Sequence, residues 1–302
     1  ETAPAKVNLA LHVTGRRADG FHTLHSLCVF TELGDQLSAQ PALEDRLTIS
    51  GPFAEDLPVG RSNLVIRAIE KFRARFPGHI ECGVAIHLEK HLPVAAGLGG
   101  GSADAAAVLR MLARLGAGAV PDTELFALAA TLGADVPMCL YSRTCEVLGI
   151  GELLKPVPAF PPVHLVLVNP MAPVSTADVF KRLESRENLP MPPLPDALDR
   201  AAMLSLWLDD TRNDLEVPAI EIEPAIAGVI KAIRATTGCA LARMSGSGAT
   251  CFGLYGSAAA APAPSCHAPK PTCLPRTLDE IWFVDTRGLG CPSCDRAPHY
   301  CI

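Results

Sequence analysis

Pro93-Val94-Ala95-Ala96-Gly97-Leu98-Gly99-Gly100-Gly101-Ser102-Ala103-Asp104 puts four glycines into five positions and then runs straight into an alanine-rich apolar stretch. Glycine lacks a Cβ, so a run of them marks backbone that must approach something closely. Consecutive N–H groups in such a loop can converge on an anion. The stretch from Ser102 to Leu115 has the spacing of a helix, and a helix N-terminus carries partial positive charge. Ser102 can cap that helix or offer its hydroxyl to a phosphate or a metal ion. Together these features describe a site for a polyphosphate. The competing reading is a flexible turn before a helix.

Two other phosphate motifs do not fit the loop. A Walker A loop needs Gly-Lys-Ser/Thr, and no lysine follows Gly101. A dinucleotide fingerprint needs Gly-x-Gly-x-x-Gly after a strand; here the third glycine is displaced.

Upstream of the loop, Val84, Ile86 and Leu88 alternate as a strand, and Leu64, Ala68, Phe72 and Phe76 repeat as a helix face that ends at Gly78. Further back, Lys6 to Val13, Leu24 to Leu33 and Leu47 to Ser50 read as strands, with turns at Gly15–Gly20 and Gly34-Asp35. Their spacing predicts an antiparallel sheet. Downstream, helices are expected at Asp122–Thr131, just after Gly133, at Ala197–Leu208 and at Glu223–Thr236. Val163–Val168, Ala240–Met244 and Ala249–Tyr255 read as strands, the last two joined by the turn Ser245-Gly246-Ser247-Gly248. A proline cluster at 156–162 suggests a boundary. It divides the chain into 1–158, 159–256 and an Ala/Pro/Cys-rich tail, 257–302.

The whole chain has 302 residues, 49% of them hydrophobic and 5% aromatic, with a formal net charge of −6. That is enough for an aliphatic core in one or two domains. No long basic run favours nucleic acid as a partner. No stretch approaches the ~20 apolar residues of a membrane span, and Glu1–Lys6 lacks the apolar core of a signal peptide. A cytoplasmic protein is the expectation. The chain opens on Glu1 rather than Met, as expected when first residues are missing or processed. Of eleven cysteines, six are scattered through the first 256 residues and read as small buried hydrophobes. The other five crowd the tail, where Cys291, Cys294, His299 and Cys301 form only a non-standard zinc pattern.

Three separated segments resemble the GHMP kinases: Pro93–Ala103 their ATP loop, Ala3–Leu9 their N-terminal strand motif, and Ser245–Ala249 their C-terminal glycine motif. Arg17–His22, Gly133–Pro137 and Asn213–Glu216 narrow the resemblance to the branch that phosphorylates a cytidine-diphosphate-linked methylerythritol in the non-mevalonate isoprenoid route. It covers about residues 3–256. It implies a two-domain α+β fold, the first domain like ribosomal protein S5 domain 2 and the second ferredoxin-like. It also implies transfer of the ATP γ-phosphoryl group to the 2-hydroxyl of that small molecule. Another GHMP small-molecule kinase, homoserine- or mevalonate-kinase-like, and an impaired nucleotide-binding protein are the alternatives.

The resemblance implies roles residue by residue. Pro93, Val94, Ala95, Ala96, Gly97, Leu98, Gly99, Gly100, Gly101, Ser102 and Ala103 form the ATP loop. Asp135 is the implied catalytic base, against a bland reading as a helix N-cap. Lys6 is its partner, able to orient the hydroxyl and offset developing charge. Asn8, on the same strand face as Lys6, is implied to contact substrate. Phe21, where the family usually has tyrosine, and His22 are matched to the cytosine pocket; Phe180 is matched to a second stacking position or to a plain helix face. Gly246 and Gly248 belong to the ATP site or to a tight turn, and Asp214 reads as structural. Magnesium is expected with ATP, bridging phosphates, with no protein ligand assigned. Residues 257–302 depart from the family, which closes its second domain with a helix and a strand.

Overall fold

The structure, a computed structural model, describes residues 1–55, 57–195, 198, 200–257 and the backbone of 280–285. In chain order the elements are β1 (Thr2–Arg16), β2 (His22–Ala42), β3 (Arg46–Ser50), α1 (Leu64–Arg75), β4 (Gly83–Glu89), α2 (Gly100–Leu115), α3 (Asp122–Ala130), α4 (Val136–Tyr141), β5 (Cys145–Gly149) and β6 (Leu153–Pro156). There follow β7 (His164–Asn169), α5 (Thr176–Lys181), α6 (Ala201–Asp209), α7 (Glu216–Ile222), α8 (Ala225–Arg234), β8 (Cys239–Met244), β9 (Cys251–Tyr255) and β10 (Glu280–Asp285). The chain has an α+β fold of two compact units, which interleave along the sequence. One comprises residues 1–6, 34–94 and 99–143; the other comprises 7–33, 95–98 and the described residues from Thr144 onward.

In the first unit β3 and β4 run parallel, Leu47 opposite Ile86, and β4 pairs antiparallel with the end of β2, Leu37 opposite Leu88. The antiparallel sheet expected of the early strands is thus corrected at β3, which pairs parallel with β4. The reason is α1, which links β3 to β4 as a crossover that a hairpin could not provide. Asn63 caps α1, its Oδ1 accepting from Val65 N at 2.9 Å. Val65, Ala68, Ile69 and Phe72 form the buried face of α1, which packs on α2. Gly34-Asp35, read as a turn, passes straight through β2 instead. A carboxylate survives inside that strand because a lysine and two backbone amides satisfy it, as described below.

In the second unit the start of β2 pairs antiparallel with β5, and β5 with β6. A four-stranded sheet has the order β10-β7-β9-β8, all its pairings antiparallel. Every residue of β7 is buried, as expected of an interior strand. Val166, Val168, Ile226, Val229, Ile233 and Met244 belong to the core formed there with α7 and α8. The expected helices at Ala197 and Glu223 appear as α6 and α8, shortened at their starts; Ala197 itself lies outside the described residues. β10 supplies a closing strand from within the tail, where the sequence offered only Leu278–Val284 as an ordered candidate. Cys291, Cys294, His299 and Cys301, weighed as a zinc pattern and set aside for their non-standard spacing, lie outside the described residues.

Candidate active site

Helix α2 begins at Gly100, two residues earlier than the sequence suggested, with Gly99 in the N-cap position at φ +67°. The left-handed backbone at Gly99 turns the chain into the helix without a side-chain cap. Ser102 is therefore a first-turn residue and not the cap. Ala103 N donates to Gly99 O at 2.8 Å, the first intrahelical bond. The amides of Gly100, Gly101 and Ser102 precede it, and such first-turn N–H groups are the donors that bind anions.

Lys6 and Asp135 meet beside this turn, within the first unit. Lys6 Nζ lies 3.5 Å from Asp135 Oδ2. The lysine is buried, while the aspartate side chain is 41% exposed. A Cβ added at Gly99 would sit 3.2 Å from Lys6 Cε, so the stem of the lysine runs directly under the loop. Asp135 occupies the N-cap position of α4 but makes no side-chain cap hydrogen bond. That leaves its carboxylate available to a ligand, at one with the exposure.

Residues 95–98 of the loop belong to the second unit, where the turn after β8 holds them. Ser245 Oγ donates to Gly97 O at 3.2 Å and Thr250 N to Ala96 O at 3.1 Å. Ser245 Oγ also accepts from Asn8 N at 3.1 Å. Asn8 Nδ2 donates to Ser26 Oγ at 2.8 Å. One serine thus joins two motifs separated by most of the chain. Ser26 escaped sequence reasoning: a serine in an apolar strand carries no local signal of a partner. Ala96 and Leu98 are buried, Val94 is exposed, and Pro93 ends the strand-to-loop passage in the first unit.

Elsewhere in the second unit His22 stacks on Phe180, ring centroids 4.9 Å apart and planes 22° from parallel. His22 Nε2 is buried without a hydrogen-bond partner among the described residues. Burial holds this imidazole below the usual histidine range, helped by Arg16 and Arg186. It is therefore neutral at neutral pH, able to donate or accept a single hydrogen bond. Phe180 packs half-buried against the unit's core, as its helix-face reading has it. Phe21 is 58% exposed on the Asp19 turn, whose Oδ1 accepts from Phe21 N at 3.3 Å. Asp214 accepts from Val13 N at 2.7 Å and from Arg212 Nε at 2.5 Å, a structural clasp.

Sequence reasoning also missed a buried charge cluster in the first unit. Lys90 Nζ bonds Asp35 Oδ2 and lies 2.8 Å from Asp104 Oδ2. Asp35 Oδ1 accepts from His91 N at 2.5 Å and Leu92 N at 2.7 Å. Burial pushes the Asp104 carboxyl up to about 8, against the pull of Lys90. The available signal was Asp104 itself, a lone charge on the alanine-rich face of α2. Among the described residues no cluster of three or more His, Cys, Asp or Glu side chains is arranged to hold a metal ion, and no helix is long and apolar enough to cross a membrane.

The family pattern described as GHMP kinases N terminal domain matches residues 63–143, and that described as GHMP kinases C terminal matches 195–263. A 4-diphosphocytidyl-2-C-methyl-D-erythritol kinase of Mesorhizobium japonicum is 49% identical over 253 residues, 84% of this chain and 85% of the relative. The chain belongs to the GHMP kinase family. This GHMP kinase is equally close to the enzyme of the same description from Paracoccus denitrificans, 51% identical over 87% of this chain and 89% of that one. Among solved structures, it resembles a 4-(cytidine 5'-diphospho)-2C-methyl-D-erythritol kinase with TM-score 0.72 and 37% identity, covering 94% of this chain and 98% of that one.

Proposed function

We propose that this GHMP kinase transfers the γ-phosphoryl group of ATP to the 2-hydroxyl of 4-diphosphocytidyl-2-C-methyl-D-erythritol. The observation that carries the reading is the Lys6–Asp135 pair set against Gly99 at the first turn of α2. Phosphoryl transfer asks little covalent chemistry of the protein; it asks for positioning and charge stabilisation. The loop from Pro93 to Ala103 would cradle the polyphosphate through its amides. Asp135 would accept the proton of the attacking hydroxyl, and Lys6 would orient that hydroxyl and offset negative charge as it develops. Relatives sharing about half of the residues act on the cytidyl substrate that their names describe.

His22 and Phe180 supply an aromatic surface for the cytosine ring, with a neutral imidazole to read its polar edge. Asn8 has its side-chain amide held by Ser26 and Cys28, which fixes the residue on its strand for a substrate contact. Magnesium would travel with the ATP, bound through phosphate oxygens and water, its usual habit; Ser102 is the one loop hydroxyl that could add a ligand. A division by role at the proline cluster, 1–158 and 159–256, belongs to this proposal, as does a cytoplasmic location.

A coupled ADP-release assay over a panel of alcohols tests the reading. The cytidyl substrate should give the highest kcat/KM, well above homoserine and mevalonate. ADP release driven best by another alcohol would overturn the substrate, and none with any alcohol would overturn the kinase itself.

A further inference from the structure

We propose that Lys90, bridging Asp35 and Asp104, is a positioning residue that clamps the two ends of the phosphate loop and sets the aim of its first-turn amides. This inference rests on the ATP-loop reading above and deepens it. Lys90 lies just before the loop in the chain and Asp104 just after it, and their 2.8 Å bond closes the intervening segment into a ring. The same ammonium holds Asp35, whose other oxygen gathers the amides of His91 and Leu92, the residues leading into Pro93. Both boundaries of the loop are thus tied to one buried cation within the first unit.

The cation is also close to the working part of the loop. A Cβ placed on Gly100 would lie 3.1 Å from Lys90 Nζ, so the ammonium sits directly beneath the first residue of α2. Lys90, Asp35 and Asp104 are each at most 3% exposed. A buried ion cluster of this kind is costly to assemble and is weak evidence of stabilisation in itself. Hydrophobic side chains would fill the same space at lower desolvation cost. What the cluster offers instead is direction: charged hydrogen bonds fix the first turn of α2 relative to the strand end far more narrowly than packing does. Asp104 Oδ1 is buried without a partner among the described residues, so Asp104 reaches the cluster through Oδ2 alone. Its removal should loosen one end of the loop and leave Asp35 holding the other.

The test uses the full chain and compares D104A, which removes the acceptor, with D104N, which keeps an oxygen able to accept from Lys90. D104A should raise the KM for ATP about tenfold, the scale of a sub-ångström misplacement of binding groups, and leave the KM for the alcohol within about twofold. D104N should recover most of that loss. D104S, whose hydroxyl is too short to reach Nζ, replaces D104A if the alanine variant does not fold. An unchanged KM for ATP in the truncated variant overturns the proposal. So does a rise in both KM values that follows the fall in melting temperature, since that is a purely structural effect. A parent enzyme that neither binds an ATP analogue nor releases ADP marks failure of the kinase reading instead.

Discussion

Asp135 and Lys6 are matched in opposite ways to the roles proposed for them. The carboxylate is open to a ligand, and the ammonium is buried under the loop with its head 3.5 Å away. Replacing Asp135 by asparagine keeps the shape and removes the base, so kcat should fall at least ~10²-fold, the low end for general-base catalysis. Because the carboxylate also pairs with the buried Lys6, the melting temperature is read beside the rate to separate lost chemistry from lost stability. Near-parental turnover in a folded D135N protein would end that assignment. His22 gives a second residue-scale expectation. Burial holds its pKa below the usual histidine value, so the ring is neutral at pH 7. If a neutral ring reads the base, the KM for the cytidyl substrate should stay flat from neutral pH upward. It should rise as pH falls through the lowered pKa, and the rise should vanish in H22Q. For Phe180, loss of stacking in F180A should weaken the cytidyl substrate by roughly 0.5–1.5 kcal/mol, with the KM for ATP little changed.

At the scale of elements, α2 depends on how it starts. Gly99 holds a left-handed backbone and touches the stem of Lys6. G99A should therefore cost about 1–2 kcal/mol in backbone strain alone, and it should also displace Lys6, lowering kcat by more than the lost stability explains. Urea melts beside single-turnover rates separate the two effects. Elements with their own periodicity were legible in sequence: α1 from its four-residue repeat, β4 from alternation, the loop from its glycines. β5 and β6 were not, since each is short, and β5 also takes hydrogen bonds from the distant start of β2. α7 is also short and carries Pro218 inside it, which reads as a break. Residue type alone offers Ser102 as a cap or a phosphate-facing hydroxyl, whereas the left-handed Gly99, three residues earlier, starts the helix with backbone alone. The fold class followed from separated motifs. The clamp at Lys90 did not, because nothing in a one-dimensional pattern pairs Asp35 with Lys90 and Asp104.

Over the whole molecule, Asp104 should mark the pH profile of stability. Its carboxyl, pushed up to about 8 in the folded protein, titrates near 3.9 when unfolded. Between those values the folded state keeps a proton that the unfolded state has lost, so this group's contribution to stability falls as pH rises from about 4 to about 8. Chemical denaturation across that range should show D104N with a flatter profile than the parent; parallel profiles would contradict the assignment. The same long-range economy runs through the second unit, where Ser245 answers to both Asn8 and Gly97.

The place of β10 beside β7 has a bearing on how the protein is made. β7 is buried along its length, and β10, which covers one of its edges, leaves the ribosome long after it. Throughout the intervening synthesis that edge offers unpaired amides and carbonyls to any passing strand. The nascent chain therefore carries a built-in interval of stickiness, ended only when β10 arrives.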